Sequence, residues 1–396
     1  MVGYPGILAF TIYRLCKFNA NEAVFGQVVK KPSTISGCWQ PSRSRFVPYW
    51  HIPPGDFPIC TMRQAGPWPL LLAGSLAGRH GDNSEISSDI LAPLADLIGL
   101  PLTVHLLPDL ASGVATGDVV QSRLFNKFRR ADGLRWVRHA DEGGIRVICL
   151  KGLATAHLYY DEADLRTMSD ADLLVSAADR DRLVAHFQAA GLEFHPAEAR
   201  SPWGHISDAS MLPLTDSEGA SNVDLHTQPD AWPLHLGLST AEVFAAARSM
   251  DTGAGTIWVP STTHMLLLCA THAARDLFGP STAKSIIDAA LLLQQQGDQV
   301  DWAEFEERLR RGRVRKPVRA FLTMLDRLGA DVRSVPVTLR DVGGAEFERA
   351  FDDYVALFPD DLSMLARARR ELLLCAEPAV AMRRNGQRLR GLFRFG

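Results

Sequence analysis

The sequence predicts an α+β fold, a strand-and-helix segment followed by an all-helical one. Three observations predict it. Between residues 145 and 226, short apolar and β-branched runs alternate with stretches of helical period. After Pro260 the strand signals stop and one amphipathic helix pattern follows another. The chain has 396 residues, 46% of them hydrophobic and 22% charged, enough to bury a sizeable core in two domains.

Residues 1–62 stand apart from this pattern. They are rich in Pro, Gly, Ser and basic residues and show no sustained period, and they read as a disordered extension or an upstream mis-start. Residues 63–118 are expected to form a helical lead-in, 119–260 the α+β domain and 261–396 the helical domain. In residues 87–98, Ile90, Leu91, Leu94, Leu97 and Ile98 fall on one helix face. A longer helix is expected over 120–140, with Leu124, Phe125, Phe128, Leu134 and Val137 inward and Gly143-Gly144 ending it. Residues 145–150 read as a buried strand, and Gly152 opens a helix that runs to Tyr160. A strand over 172–175, a helix over 178–190 stopped by Gly191, and a short strand over 192–195 follow. Strands over 206–214 and 222–226 flank a turn marked by Asp216, Ser217 and Gly219. Helices are expected over 261–277, 283–296, 302–311, 314–328, 345–357 and 362–374, with no internal repeat.

Bulk properties exclude several classes. A net charge of −3 and a pI near 6.5 give no global reason to expect nucleic acid or an acidic membrane as partner. No apolar run approaches the roughly 18–20 residues needed to span a bilayer. The N-terminus lacks the order of a secretory signal, so the expected location is the cytoplasm. The cysteines Cys16, Cys38, Cys60, Cys149, Cys269 and Cys375 form no CxxC pair, which argues against zinc or redox chemistry. Cys149 and Cys269 lie in apolar settings and read as core.

The densest chemical signal is Arg166-Thr167-Met168-Ser169-Asp170-Ala171-Asp172-Leu173-Leu174-Val175. Residues i and i+2 of a strand share a face, so Asp170 and Asp172 project side by side at the head of a buried strand. Two such carboxylates repel unless a cation lies between them, and Mg²⁺ is an oxygen-seeking ion held by one or two carboxylates with phosphates completing its shell. Upstream stands Leu150-Lys151-Gly152, where a glycine after a strand and the following helix N-terminus suit a phosphate, and Lys151 adds a point charge. Arg166, four residues before Asp170, is placed to reach a phosphate or to orient one carboxylate, and Ser169 stands beside the pair. A third carboxylate, Asp224, follows in Val223-Asp224-Leu225-His226.

Plainer readings stand beside these. Ser169 and Asp170 also suit a solvated turn at a strand entry. Asp224 alone is a surface residue as readily as a ligand, and His226 is either a neighbour of the site or a packed core histidine. His272 and Asp276 share a helix face as a hydrogen-bonded pair or part of a cleft, and Asp288 most simply pairs with Lys284 four residues before it. The loop Gly74-Ser-Leu-Ala-Gly78-Arg79 lacks the Lys-Ser/Thr pair of a phosphate loop and is discarded. Two basic runs, Arg308 to Arg319 and Arg383 to Arg394, read as solvated helix surfaces or as sites for a triphosphate, an RNA or an acidic peptide.

In these motifs the chain resembles the DNA-polymerase-β-type nucleotidyltransferase superfamily and, more narrowly, its uncharacterised bacterial nucleotidyltransferase family. The resemblance rests on Leu150-Lys151-Gly152, on Arg166 with Ser169-Asp170-Ala171-Asp172-Leu173-Leu174-Val175, and on Val223-Asp224-Leu225-His226. His272, Asp276 and Lys284 to Asp288 extend it into the helical half, so that it covers roughly residues 120–330. It implies a mixed sheet flanked by helices, with 119–260 as the catalytic domain. It implies two Mg²⁺ ions held by Asp170, Asp172 and Asp224, and an NTP, ATP among them, whose phosphates face Lys151, Gly152, Arg166 and Ser169. His226, His272, Asp276 and Lys284 would line or support the cleft. The implied reaction moves a nucleoside monophosphate to a hydroxyl of an unidentified small molecule, peptide or protein. Two alternatives remain: a catalytically silent nucleotide-binding or scaffold protein of the same fold, and an RNA-directed enzyme, although nucleic acid is not expected as a partner. The chain departs from the pattern at Lys151-Gly152, where the superfamily carries Gly-Ser or Gly-Gly, and at Thr227, where the family carries an aromatic residue.

Overall fold

The computed structural model describes residues 91–108, 110–194, 210, 213–357 and 362–392. All of these belong to one compact unit, Met62–Gly396. The expected extension over 1–62, the lead-in up to residue 90, the discarded glycine loop, Cys16, Cys38, Cys60 and most of the expected strand 206–214 lie outside the described residues.

Helices α1 (Leu91–Ile98) and α2 (Leu100–Leu106) open the described chain. Between them Gly99 adopts φ +96°, and a Cβ there would sit 2.0 Å from Thr167 Oγ1, so only glycine fits this turn. The long helix α3 (Thr116–Glu142) is followed by β1 (Val147–Cys149), α4 (Lys151–Tyr159), β2 (Ala171–Val175), α5 (Arg180–Ala189), β3 (Glu193–Phe194), β4 (Leu214–Thr215) and β5 (Asn222–His226). These strands form a mixed sheet in the order β1-β2-β5-β4-β3. The β2–β5 pair is parallel, and β1–β2, β5–β4 and β4–β3 are antiparallel. The expected strand over 145–150 is shorter than its apolar run because the chain turns into α4 at Lys151.

The sheet has a dry face and a polar face. Leu173 and Val175 of β2 and Val223 and Leu225 of β5 are buried on the side that α3 covers. There Gly133 lets α3 close in, since a Cβ would lie 3.1 Å from the Ala171 Cβ. Ser221 at the head of β5 donates to Asp132 of α3 at 3.0 Å and accepts from Trp136 at 3.0 Å, which fixes the strand's height against the helix. By the period of two, Asp172, Asp224 and His226 turn to the other face.

A short helix α6 (Thr240–Ala245) and a hairpin of β6 (Arg248–Asp251) with β7 (Thr256–Val259) precede the helical half. Neither α6 nor the hairpin was expected from the sequence, whereas α2 falls within the expected helical lead-in. Helix α6 is too short to show a period and is held by its Ser239–Glu242 capping box, while the hairpin turns through Gly253 and Gly255 at positive φ. Then come α7 (Thr262–Arg275), α8 (Thr282–Gln296), α9 (Trp302–Arg311), α10 (Arg315–Arg327), α11 (Ala345–Val355), α12 (Met364–Arg370), a π-helical turn Glu371–Cys375, and α13 (Pro378–Leu392). The last of these falls in the expected helical region, on the basic run from Arg383 that reads as a helix surface. Helix α7 packs on α8 and α10, and α8 packs on α4. One hydrophobic core runs from Leu94 to Cys375 through both halves. The fold is α+β, a mixed sheet with flanking helices followed by a helical region. No helix among the described residues is long and apolar enough to cross a membrane.

Candidate functional site

Parallel pairing of β2 with β5 sets Asp172 directly opposite Asp224 and Leu174 opposite His226. Two carboxylates thus meet at the same height on the polar face, each flanked in its own strand by buried apolar residues that fix the register. Asp172, Asp224 and His226 each offer a ligand atom, all within 4.8 Å of one another. His226 Nε2 lies 2.8 Å from Asp172 Oδ1 and 3.4 Å from Asp224 Oδ2. Asp172 is buried, whereas the Asp224 side chain is 21% exposed at the mouth. Asp170 stands one residue before β2, half-buried, outside that 4.8 Å circle, and accepts from the exposed Ser169 hydroxyl at 3.1 Å.

The electrostatics couple all of these groups. Burial and the Asp172 charge push the Asp170 carboxyl up to about 6, with Asp224 adding and Lys151 opposing. Burial alone would raise Asp172 too, but the Lys151 ammonium and His226 outweigh it and hold this carboxyl well below the usual range. Lys151 Nζ is ion-paired directly with Asp172 Oδ1. Burial works against the charge on Lys151, and Asp172 more than restores it. His226 behaves likewise: burial disfavours the imidazolium, and its hydrogen bonds to Asp172 and Asp224 win. His226 is therefore both buried core and neighbour of the site, and its Nδ1 is buried with no partner among the described residues.

The β1–α4 junction delivers Lys151. Leu150 donates to the Asp172 carbonyl at 2.9 Å, which ties the start of α4 to β2, and no side chain caps the helix. Lys151 itself adopts φ +42°, a left-handed conformation that costs a non-glycine residue roughly 1–3 kcal/mol and recurs at functional sites. Gly152 is buried, and its missing side chain serves packing: a Cβ would lie 3.2 Å from the Met168 Cβ.

Arg166 requires a correction. It does not turn to the acidic pair, because its guanidinium forms a buried fork with Asp288 of α8, Nε to Oδ1 at 2.9 Å and Nη2 to Oδ2 at 2.7 Å. The third nitrogen donates to the Thr167 carbonyl at 2.6 Å. Tyr160 also donates to Asp288 at 2.7 Å, so this carboxylate is taken from across the fold and not by Lys284. Lys284, in the first turn of α8, has no ion pair among the described residues. Burial and the Arg166 charge push its ammonium down to about 8, against the pull of Asp170 and Asp288.

The end of α7 carries a second cluster of charged groups. Arg275 donates to Asp230 at 2.8 Å and to His272 Nδ1 at 2.5 Å, and Thr271 donates to Asp230 at 2.6 Å. Burial opposes the Arg275 charge, but Asp230, Asp276, Asp172 and Asp224 together sustain it, which places the guanidinium in the field of the acidic pair. Burial and Arg275 push His272 down to about 4, so it is neutral. Asp276 lies 3.7 Å from His272 Nε2 and accepts from Ser281 at 2.7 Å. The sequence reading missed Arg275 and Asp230. A signal existed, since Arg275 sits in the last turn of an apolar helix beside His272 and Asp276, but its partner lies 45 residues away.

Asp172, Asp224 and His226 thus meet on one polar sheet face, with Lys151 ion-paired to Asp172 and with Asp170 and Arg275 in their electrostatic field, and similarity can be set against that geometry. No curated protein and no solved structure matches the chain. The sequence profile of a family described as uncharacterised nucleotidyltransferase matches residues 127–329, a span that begins in α3, takes in both acidic strands and ends beyond α10. The chain belongs to that uncharacterised nucleotidyltransferase family.

Proposed function

We propose that the protein is a Mg²⁺-dependent nucleotidyltransferase that moves a nucleoside monophosphate from an NTP to a hydroxyl of a small molecule, peptide or protein, releasing pyrophosphate. The observation that carries this reading is the parallel register that pairs Asp172 with Asp224. Carboxylate oxygens suit a hard divalent ion, and burial together with the neighbouring Asp172 charge disfavours the ionised form of Asp170, which a bound cation would favour. Asp172 and Asp224, with His226 beside them, therefore fit a divalent ion, and in this reading that ion is Mg²⁺ with Asp170 joining Asp172 and Asp224 as a third holder. Bound there, the metal would neutralise phosphate charge and lower the pKa of an attacking hydroxyl.

The chain's own groups do the rest. Lys151, already charged on Asp172, is within reach of a phosphate at the mouth, and Lys284 at about 8 is mostly protonated at neutral pH and unpaired. The half-open Asp224 is the carboxylate placed to take the acceptor's proton. Arg166 acts by holding the segment before β2 to α8, which sets the position of Asp170 and Asp172. Catalysis would come from positioning and charge neutralisation, since a phosphoryl centre needs little covalent help.

A binding-only protein is the second reading, favoured by one observation: Lys151 can neutralise Asp172 without any metal. Incubation with each labelled NTP and Mg²⁺ separates the two. The enzyme reading expects pyrophosphate release or slow self-labelling, abolished in Asp172→Asn. NTP binding with no turnover across a panel of hydroxyl acceptors would favour the binding protein.

A further inference from the structure

On the polar face of the sheet, β5 carries Asp224 and His226 at alternate positions, so both side chains turn the same way. The register sets Asp224 level with Asp172 and His226 one step further along, opposite Leu174. Exposure falls along that row: the Asp224 side chain is 21% exposed and the His226 side chain 3%. His226 is therefore the floor of the acidic site, with Asp224 at its mouth.

A histidine that only orients a carboxylate needs one of them. His226 Nε2 reaches both, lying 2.8 Å from Asp172 Oδ1 and 3.4 Å from Asp224 Oδ2. Ligand atoms on adjacent corners of an octahedral ion, with bonds of about 2.1 Å, stand roughly 3.0 Å apart. The two observed separations bracket that value, and all three ligand atoms lie within 4.8 Å of one another. No bond to Nδ1 among the described residues turns the ring another way. The kind of donor then selects the ion. Mg²⁺ is a hard ion of oxygen ligands, whereas imidazole nitrogen suits divalent transition ions, with affinity rising from Mn²⁺ to Co²⁺.

We infer that His226 Nε2 is a direct ligand of the ion held by Asp172 and Asp224, and that the site binds Mn²⁺ and Co²⁺ more tightly than Mg²⁺. The use of that ion rests on the nucleotidyltransferase reading, while the ligand set stands on the geometry alone. On binding, Nε2 gives its proton to solvent and its lone pair to the ion, and the Lys151 ammonium leaves Asp172 Oδ1.

Mn²⁺ alone, added to the full chain, is the probe. Pulsed electron paramagnetic resonance of the loaded chain is expected to show the hyperfine coupling of a directly bound nitrogen, lost in His226→Gln. Calorimetry is expected to give Mn²⁺ and Co²⁺ affinities about tenfold or more above that of Mg²⁺, a gap that closes in the same variant. The wild-type spectrum needs no variant, and melting curves check that the glutamine chain folds. Bound Mn²⁺ without nitrogen coupling, or a coupling that survives in folded His226→Gln, would overturn the ligand and leave nucleotidyl transfer standing. Absence of Mn²⁺ binding would overturn the ligand and the metal dependence together. A nitrogen-bound ion in a chain that turns over no NTP would keep the ligand and remove nucleotidyl transfer.

Discussion

Asp170 carries a charge that its surroundings resist. Burial and Asp172 raise it to about 6 from an unfolded value of 3.8, so the native state binds an extra proton between those limits. Its contribution to stability is full below 3.8 and is lost as pH rises through about 6. Metal binding runs the other way, because the cation needs the ionised form. Mg²⁺ affinity is therefore expected to fall as pH drops below about 6, by up to about tenfold per unit, and Asp170→Asn should flatten that dependence. Calorimetric Mg²⁺ titrations on either side of pH 6 check it, and an affinity independent of pH would remove Asp170 from the site. Lys151 separates strain from charge in a similar way. Lys151→Gly relieves the left-handed backbone whereas Lys151→Ala keeps it, so the glycine variant should be more stable to urea by about 1 kcal/mol. Both lose the ammonium that serves Asp172, and both should lose turnover; equal stability would show that φ +42° stores no strain.

At the scale of elements, the site depends on β2 being held at a fixed height by its neighbours. The buried Arg166–Asp288 fork, backed by Tyr160, clamps the segment before β2 to α8. Asp288→Ala leaves a buried guanidinium unpaired and should cost about 3–5 kcal/mol in urea unfolding, with Asp288→Asn costing less. A loss below about 1 kcal/mol would mean that the clamp is not structural. These elements also show what the sequence made legible. The acidic head and apolar tail of Ser169-Asp170-Ala171-Asp172-Leu173-Leu174-Val175 placed β2, because a period of two and burial are local properties. Val223-Asp224-Leu225-His226 placed β5 for the same reason. That these strands pair in parallel, with Asp172 opposite Asp224, is a long-range fact no local pattern contains. Arg166 was misassigned for the same cause, since its carboxylate lies 122 residues on. Helix α6 and the β6–β7 hairpin escaped because each is too short for periodicity to register.

Across the whole molecule, the helical region shares one core with the sheet and is not an appendage. One hydrophobic core passes from the sheet through α7, α8 and α10. Arg308 of α9 ties α6 to that region through Glu242. We propose a boundary near residue 260 as a change of architecture only. A fragment of residues 119–260 should then fail to fold alone, giving no cooperative thermal transition, and limited proteolysis of the full chain should not cut first near 260. A folded, soluble fragment would contradict this. The same joined construction lets Arg275 and Lys284, far along the chain, share an electrostatic field with the acidic residues.

The most direct test of the account is an anomalous difference map from crystals soaked in Mn²⁺ as a stand-in for Mg²⁺. A peak bounded by Asp172 and Asp224 is expected, with Asp170 drawn toward the metal and no peak in an Asp172→Asn crystal. No peak at that place in the wild-type chain, with the Lys151 ammonium still seated on Asp172, would contradict it.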